Sequence, residues 1–325
     1  MKKIIYIVIS LISLSFITAC TSKNDIEGLK IVTTSYVGYD FAKNVIGNKD
    51  NINLLLKPGS EAHSYDPTSQ DIIALSKADI FIYVGGESDE WVTDTLETID
   101  NKKLVVIKMM DIVENYKEEI VEGMQESHNH EDHNHEDEDE DEHSQGHEHE
   151  EYDEHVWTSP KNAMLILEKI AEEIINIDKE NMEQYQQNKT AYLNQINEID
   201  SQIKDIVQNA KRNVLIFGAR FPFRYFVEAY NLSYYAAFPG CSSETEANAK
   251  TITFLINKVK SEKIPVVLKI ELSNGNIADT IAEATNTKVM TLHSAHNISK
   301  DDFDNNITYV DLMNRNIETL KGALQ

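Results

Sequence analysis

The chain has 325 residues, a formal net charge of −25 and two cysteines. Between residues 126 and 154 there are 15 acidic residues and no basic ones, so this segment carries −15 and the rest of the chain −10. Because a nucleic-acid-binding protein needs clustered lysine or arginine, this composition excludes nucleic acid as a partner. Such a concentrated negative charge attracts cations instead.

The N-terminus has the features of a secretory signal. A basic "MKK" precedes a 14-residue, largely apolar run at 4–17, which is too short for a comfortable membrane span, and "ITAC" ends at Cys20. The small residues before Cys20 resemble a bacterial lipobox, which implies cleavage before Cys20 and a lipid on its thiol; an ordinary signal peptide is the alternative. We therefore expect a signal peptide at 1–19, a lipidated linker at 20–28, and an extracytoplasmic protein held on the cell membrane by its lipid.

Eight short apolar runs alternate with helical patterns along the mature chain. Near-continuous apolar strands separated by helices predict parallel sheets that are covered on both faces. Two sets of four strands predict two similar α/β lobes, at 29–177 and 211–325. The predicted strands are 30–35, 52–57, 78–86 and 103–109 in the first lobe, and 213–219, 232–238, 264–272 and 288–294 in the second.

One long amphipathic helix is predicted between the lobes, at 178–210. This stretch contains no glycine or proline, and its apolar residues recur at three- and four-residue intervals. About 30 helical residues reach roughly 45 Å, which is longer than one small domain needs. The predicted fold is therefore α/β, with two lobes, each built on a four-stranded, mainly parallel sheet flanked by helices and joined by one spine helix. A helix kinked into two within one lobe is the alternative.

Most of the histidines lie in a low-complexity insert at 125–151. It has too few apolar residues to offset the entropy of ordering it, so we expect it to be disordered without metal. Neighbouring imidazoles there can hold a cation loosely and raise its effective concentration nearby, which predicts a metal collector or sensor. A solvated loop that binds metal only incidentally is the alternative. The seven histidines of the insert are His128, His130, His133, His135, His143, His147 and His149.

Three further histidines lie at or beyond the ends of predicted strands. His63 comes after the second strand, His155 comes after the fourth, and His293 lies at the end of the eighth, with His296 three residues further on. In open parallel sheets, ligands bind beyond the carboxyl ends of the strands. Neutral imidazoles that converge between two lobes form a nitrogen-rich site that suits Zn²⁺ best. Any one of these histidines, taken alone, is explained as well by a structural role.

Two motifs resemble a known family. "GSEAHSYDPTSQD" around His63 and "DEHVWTSP" around His155, with the spine and the paired lobes, look like the zinc/manganese-type solute-binding lipoproteins of bacterial ABC importers. The resemblance covers roughly residues 29–324. It implies that His63 and His155 bind the metal, that His293 takes the place of a ligand after the last strand, and that the acidic insert is typical of zinc-handling members.

The sequence departs from this family at one ligand. The resemblance implies a His or Glu ahead of an aromatic helix in the second lobe, and Arg220 stands there. Arginine offers no lone pair to a metal. The implied site is therefore His63, His155 and His293, completed by a water or one further donor, with Arg220 paired to a local acid or to an anion beside the metal. The candidate donors are Glu271, His296, Glu244 and Cys241.

The resemblance implies a protein that captures Zn²⁺ in the interlobe cleft and delivers it to an ABC permease and its ATPase. The oligomeric state is open, and a monomer is the default expectation. Zinc is then a transported ligand, and no catalytic residue is expected. Mn²⁺ or Fe²⁺ is the alternative cargo. A surface zinc metallohydrolase is a further alternative, because three histidines and a water are also a catalytic pattern. An adhesin or structural lipoprotein is the third, although no repeat or exposed apolar stripe favours it.

Overall fold

The computed structural model describes residues 28–47, 51–61, 64–125, 152–242 and 246–325. The predicted signal peptide, Cys20 and the seven histidines of the insert lie outside these residues. In the described ranges, no helix is both long and apolar enough to cross a membrane.

Four parallel strands form the sheet of the N-terminal lobe, in the order β2-β1-β3-β4. The strands are β1 (Ile31–Thr33), β2 (Ile52–Leu54), β3 (Ile80–Tyr83) and β4 (Val105–Lys108). The helices are α1 (Tyr36–Ile46), α2 (Ser69–Ser76), α3 (Trp91–Thr98) and α4 (Pro160–Ile177). The central strands β1 and β3 are almost wholly buried, which explains their unbroken apolar sequences.

The C-terminal lobe repeats this order of strands, as β6-β5-β7-β8, again all parallel. Its strands are β5 (Val214–Phe221), β6 (Ser233–Pro239), β7 (Val266–Lys269) and β8 (Lys288–Thr291). Its helices are α6 (Arg224–Tyr230), α7 (Ala249–Ser261), α8 (Asn276–Thr285), α9 (Lys300–Asp304) and α10 (Tyr309–Leu324). All eight predicted strands are thus confirmed, and so is the two-lobed class.

The spine helix α5 runs from Met182 to Gln208, directly after a short 3-10 turn. Its 27 residues span about 40 Å. It packs against α1 and α4 of the N-terminal lobe and against α10 of the C-terminal lobe. The predicted joining helix is therefore confirmed. Its buried face consists of Tyr185, Tyr192, Ile196, Ile199, Asp200, Ile203 and Ile206.

One apolar core passes through both lobes and the spine. A single cluster of buried side chains extends from Ile31 in β1 through Trp157 and Ile196 to Leu324 at the end of α10. A buried polar group lies at the junction: Asp40 on α1 accepts hydrogen bonds from the Tyr192 hydroxyl and from the Tyr309 amide, at 3.1 Å for the amide. The lobes are therefore joined by packing as well as by chain connectivity.

Candidate metal centre

His155 is held rigidly at the mouth of the N-terminal lobe. It is 1% exposed and immediately precedes a short 3-10 helix, Val156–Thr158. One oxygen of Asp153 accepts the His155 amide at 2.8 Å and lies 3.1 Å from the ring Nδ1. A carboxylate at Nδ1 fixes the tautomer and the orientation of the ring, so that Nε2 is the nitrogen suited to a metal ion.

His296 approaches His155 from the other lobe. It lies in the loop after β8, where Ala295 has a φ of 60° and turns the chain. The ring centroid of His296 is 5.1 Å from that of His155 and 5.1 Å from that of Trp157. Trp157 Nε1 donates to the Ser294 carbonyl at 2.7 Å, which fastens this loop to the segment that carries His155. The two imidazoles are therefore placed together by contacts that cross between the lobes.

Glu154 completes a group of three side chains that could hold a metal ion. It is fully buried, and its carboxylate accepts the Ser88 amide at 3.1 Å and the Ser88 hydroxyl at 2.9 Å. A Cβ at Gly86 would lie 2.2 Å from Glu154 Oε2, so only glycine leaves room for this carboxylate. One ligand atom from each of Glu154, His155 and His296 lies within 4.8 Å of the others, and no other such group occurs in the described ranges.

The electrostatics of this region favour a cation. Asp89, Asp153 and Glu154 are at most 5% exposed. Burial and the nearby charge of Glu154 together raise the pKa of Asp89 to about 6, against the hydrogen bonds donated to Asp89, which lower it. Several buried carboxylates in one place are costly unless they are paired or bind a metal. Two nitrogens and one oxygen are a donor set that zinc accepts in sites with three protein ligands.

A small cavity of about 40 Å³ lies beside His155 and His296. A single water needs roughly 10–15 Å³ of such space, so the cavity can hold an ion with a bound water. Glu61, Arg220 and Glu271 also line it. The site is therefore enclosed by residues from both lobes, at the carboxyl edges of both sheets.

Of the predicted ligands that the structure describes, His155 belongs to the group of three and His293 does not. His63 lies outside the described residues, and His155 is in the group of three. His293 is not in that group: it lines a neighbouring cavity of about 210 Å³ together with Lys269 and Asp302. Burial lowers the pKa of His293. The turn at Ala295 is the physical reason, because it brings His296, rather than His293, to face His155.

Of the other candidate donors, Glu271 and Cys241 are described by the structure and do not join the group. Glu271 accepts the Ser294 amide at 2.7 Å and the Ser294 hydroxyl at 2.6 Å, and so supports the loop that carries His296. Burial raises the pKa of the Cys241 thiol well above its usual value, which disfavours a thiolate ligand. Glu244 lies outside the described residues. Arg220 pairs with Glu61, in agreement with the predicted local acid.

Glu154 is the residue that the sequence analysis missed. Its only sequence signal is its position beside His155 in "DEH", and an acidic residue after a long acidic run carries little information. What identifies it is burial together with the two hydrogen bonds from Ser88, which lies 66 residues earlier in the chain.

Comparison with known proteins identifies the family. Residues 31–323 match the family model described as zinc-uptake complex component A, periplasmic (ZnuA). The chain belongs to this family. The resemblance inferred from the two histidine motifs is thereby confirmed.

Two curated relatives of this ZnuA-family chain illustrate the match. The zinc-binding protein AdcA of Streptococcus pyogenes (serotype M18) is 29% identical over 99% of this chain and 61% of its own length. The chain thus spans about three-fifths of the AdcA proteins that it matches. The high-affinity zinc uptake system protein ZnuA of Bacillus subtilis is 28% identical, over 92% of this chain and 88% of its own length.

A solved structure agrees with the fold. The Zn(II)-bound ZnuA-like domain of Streptococcus pneumoniae AdcA superposes with a TM-score of 0.71 at 25% identity, covering 91% of this chain and 99% of that one.

Proposed function

We propose that this chain is an extracytoplasmic solute-binding protein that captures Zn²⁺ in the interlobe cleft and delivers it to an ABC importer. The observation that carries the proposal is the buried group of Glu154, His155 and His296, to which both lobes contribute. A cleft of this kind encloses its ligand by small movements of the two sides.

The proposed ligand set differs in part from the set implied by the sequence. His155 and His296 supply nitrogen, Glu154 supplies oxygen, and His63 is retained as the fourth donor on the strength of its motif. His296 takes the place first assigned to His293, because its ring, rather than that of His293, faces His155. Three imidazoles and one carboxylate form a tetrahedral set suited to zinc.

Zinc is favoured over Mn²⁺ or Fe²⁺ by the chemistry of the donors. Manganese prefers carboxylate, carbonyl and water oxygens, whereas imidazole suits zinc. Relatives from Streptococcus pyogenes and Bacillus subtilis carry zinc in their names, which supports the same cargo here. Because imidazoles must be neutral to coordinate, capture should weaken in acid.

The proposed partners are a membrane permease and its ATPase, because the Bacillus subtilis relative is named as part of an uptake system. We also propose that the chain is tethered by lipid on Cys20, on the strength of the lipobox-like N-terminus, and that it is a monomer by default. The insert at 125–151 is proposed to collect zinc for the cleft. The binding-protein names of the relatives favour this reading over the metallohydrolase alternative.

The test is a calorimetric titration of Zn²⁺ at pH 7.5 into the chain lacking residues 1–20. The same form with 126–151 replaced by a short Gly/Ser linker is titrated beside it, and a variant carrying both His155→Asn and His296→Asn is the control. We expect the deletion to keep one tight site and lose several weak ones, and the control to lose the tight site. Loss of tight binding on deletion alone would show that the insert holds the metal and would overturn the cleft site.

A further inference from the structure

A bidentate ion pair crosses the cleft beside the metal centre. Arg220 Nη2 lies 2.9 Å from Glu61 Oε2, and Nη1 lies 3.2 Å from Glu61 Oε1. Nη1 also donates to the Ser242 carbonyl at 3.0 Å, which fixes the guanidinium on its own lobe. Arg220 belongs to the C-terminal lobe and Glu61 to the N-terminal lobe, 159 residues away. We propose that this pair is an ionic latch that holds the loop at 57–61 against the C-terminal lobe.

The backbone of β5 directs Arg220 towards the cleft. The pairing of β5 with β6 shifts register between Phe217 and Arg220, which indicates a bulge. A bulge bends its strand and re-aims the side chain that follows it. The guanidinium side chain is only 18% exposed, so it is held in a defined place and is not a mobile surface cation.

The same loop is tied to the C-terminal lobe at its other end. Asn297 Nδ2 donates to the Lys57 carbonyl at 2.9 Å and to the Ser60 carbonyl at 2.7 Å. The Gly59 amide donates to the Ile298 carbonyl at 2.8 Å. These neutral bonds fix 57–60 to the segment that follows His296. The charged pair adds a tie at Glu61, the last described residue before His63.

Charge explains why the pair is needed. Arginine is always protonated, and Arg220 lines the same cavity as His155 and His296. An uncompensated guanidinium there would repel a divalent cation, and the Glu61 carboxylate neutralises it. Arg220 is thus a positioning residue: through Glu61 it holds the loop that leads to His63. This charge argument rests on the proposed function, but none of the latch atoms belongs to the group of Glu154, His155 and His296, so the latch itself can be tested without metal.

The latch is tested by amide hydrogen exchange over peptides covering residues 55–61, in excess chelator and at low salt. The variants are Arg220→Gln, Glu61→Gln, both together, and the charge reversal Arg220→Glu with Glu61→Arg. Arg315→Gln is the matched control, because Arg315 makes an equivalent bidentate pair with Asp302, at 2.8 and 3.0 Å, within one lobe. Thermal unfolding of each variant first establishes that it is folded.

We expect either single change to speed exchange at Gly59 about fivefold, the scale of a partly exposed pair. The double variant should exchange no faster than either single variant. The charge reversal should restore the exchange rate to within about twofold of that of the unaltered chain, and Arg315→Gln should leave the rate unchanged. In the unaltered chain, 1 M NaCl should reproduce the effect of Arg220→Gln. Unchanged exchange in both singles, additive effects in the double, or indifference to salt would each overturn the latch. The chelator keeps this result separate from any failure of zinc binding.

Discussion

Replacing His296 with asparagine removes one nitrogen donor from the buried group and leaves the surrounding backbone contacts in place. Structural zinc sites with four protein ligands bind with about 10–16 kcal/mol, so one ligand is worth roughly 2.5–4 kcal/mol. We therefore expect zinc affinity to fall by about 10²- to 10³-fold. His293→Asn should stay within about twofold, because that side chain lines a different cavity. His296→Glu, which restores a donor, should recover most of the affinity.

The assay is competition for Zn²⁺ against a chromophoric chelator at pH 7.5, with 126–151 deleted so that weak sites do not contribute. His296 is only 8% exposed and packs on Trp157, so thermal unfolding is measured on each variant to separate lost coordination from lost folding. If His293→Asn abolishes tight binding while His296→Asn retains it, the inference from ring positions fails. The ligand implied by the sequence would then be the correct one.

Three further outcomes are expected. Asp153→Asn should lower zinc affinity about 10- to 100-fold in the same competition assay, with little change in stability. The change replaces the carboxylate that orients the His155 ring through Nδ1. Trp157→Phe should lower the free energy of unfolding in urea by about 1–3 kcal/mol, because the Ser294 carbonyl loses its buried donor; equal midpoints would count against this role. Burial raises the pKa of Asp40 from 3.8 to about 6, so the folded state is more stable when Asp40 is protonated. The free energy of unfolding of the unaltered chain, minus that of Asp40→Asn, should therefore fall by about 3 kcal/mol as the pH rises from about 4 to above 6. A difference that stays constant with pH would contradict this prediction.

The sequence was sufficient to predict the strands and the spine helix, but not the direction in which side chains point from the loops. Strands such as β3, "IFIY", are buried on both faces, so their composition alone identifies them. The spine helix was equally evident, because its apolar residues keep helical spacing across 27 residues. Both signals are local, and local patterns determine local structure.

The candidate site depends on features that no local pattern encodes. A choice between His293 and His296 requires the positive φ at Ala295, which few non-glycine residues adopt. The roles of Glu154 and Arg220 become evident only from their contacts with Ser88 and Glu61, each of which lies far away in sequence. His155 was predicted because it follows a strand and also sits in a motif of defined residues. His63 stays a prediction, since it lies outside the described residues.

The uninterrupted apolar core limits how the cleft can work. Side chains from β1, the spine and α10 belong to one cluster, so pulling the lobes far apart would expose buried surface to water. Wide swinging of one half against the other is therefore energetically unfavourable. Entry and exit of a bound ion would then require movement of only the short loops at the rim of the cleft, at 57–61 and 292–298. Under the proposed function, the rate at which zinc enters and leaves the cleft would be governed by those few residues, while the bulk of the molecule moves little.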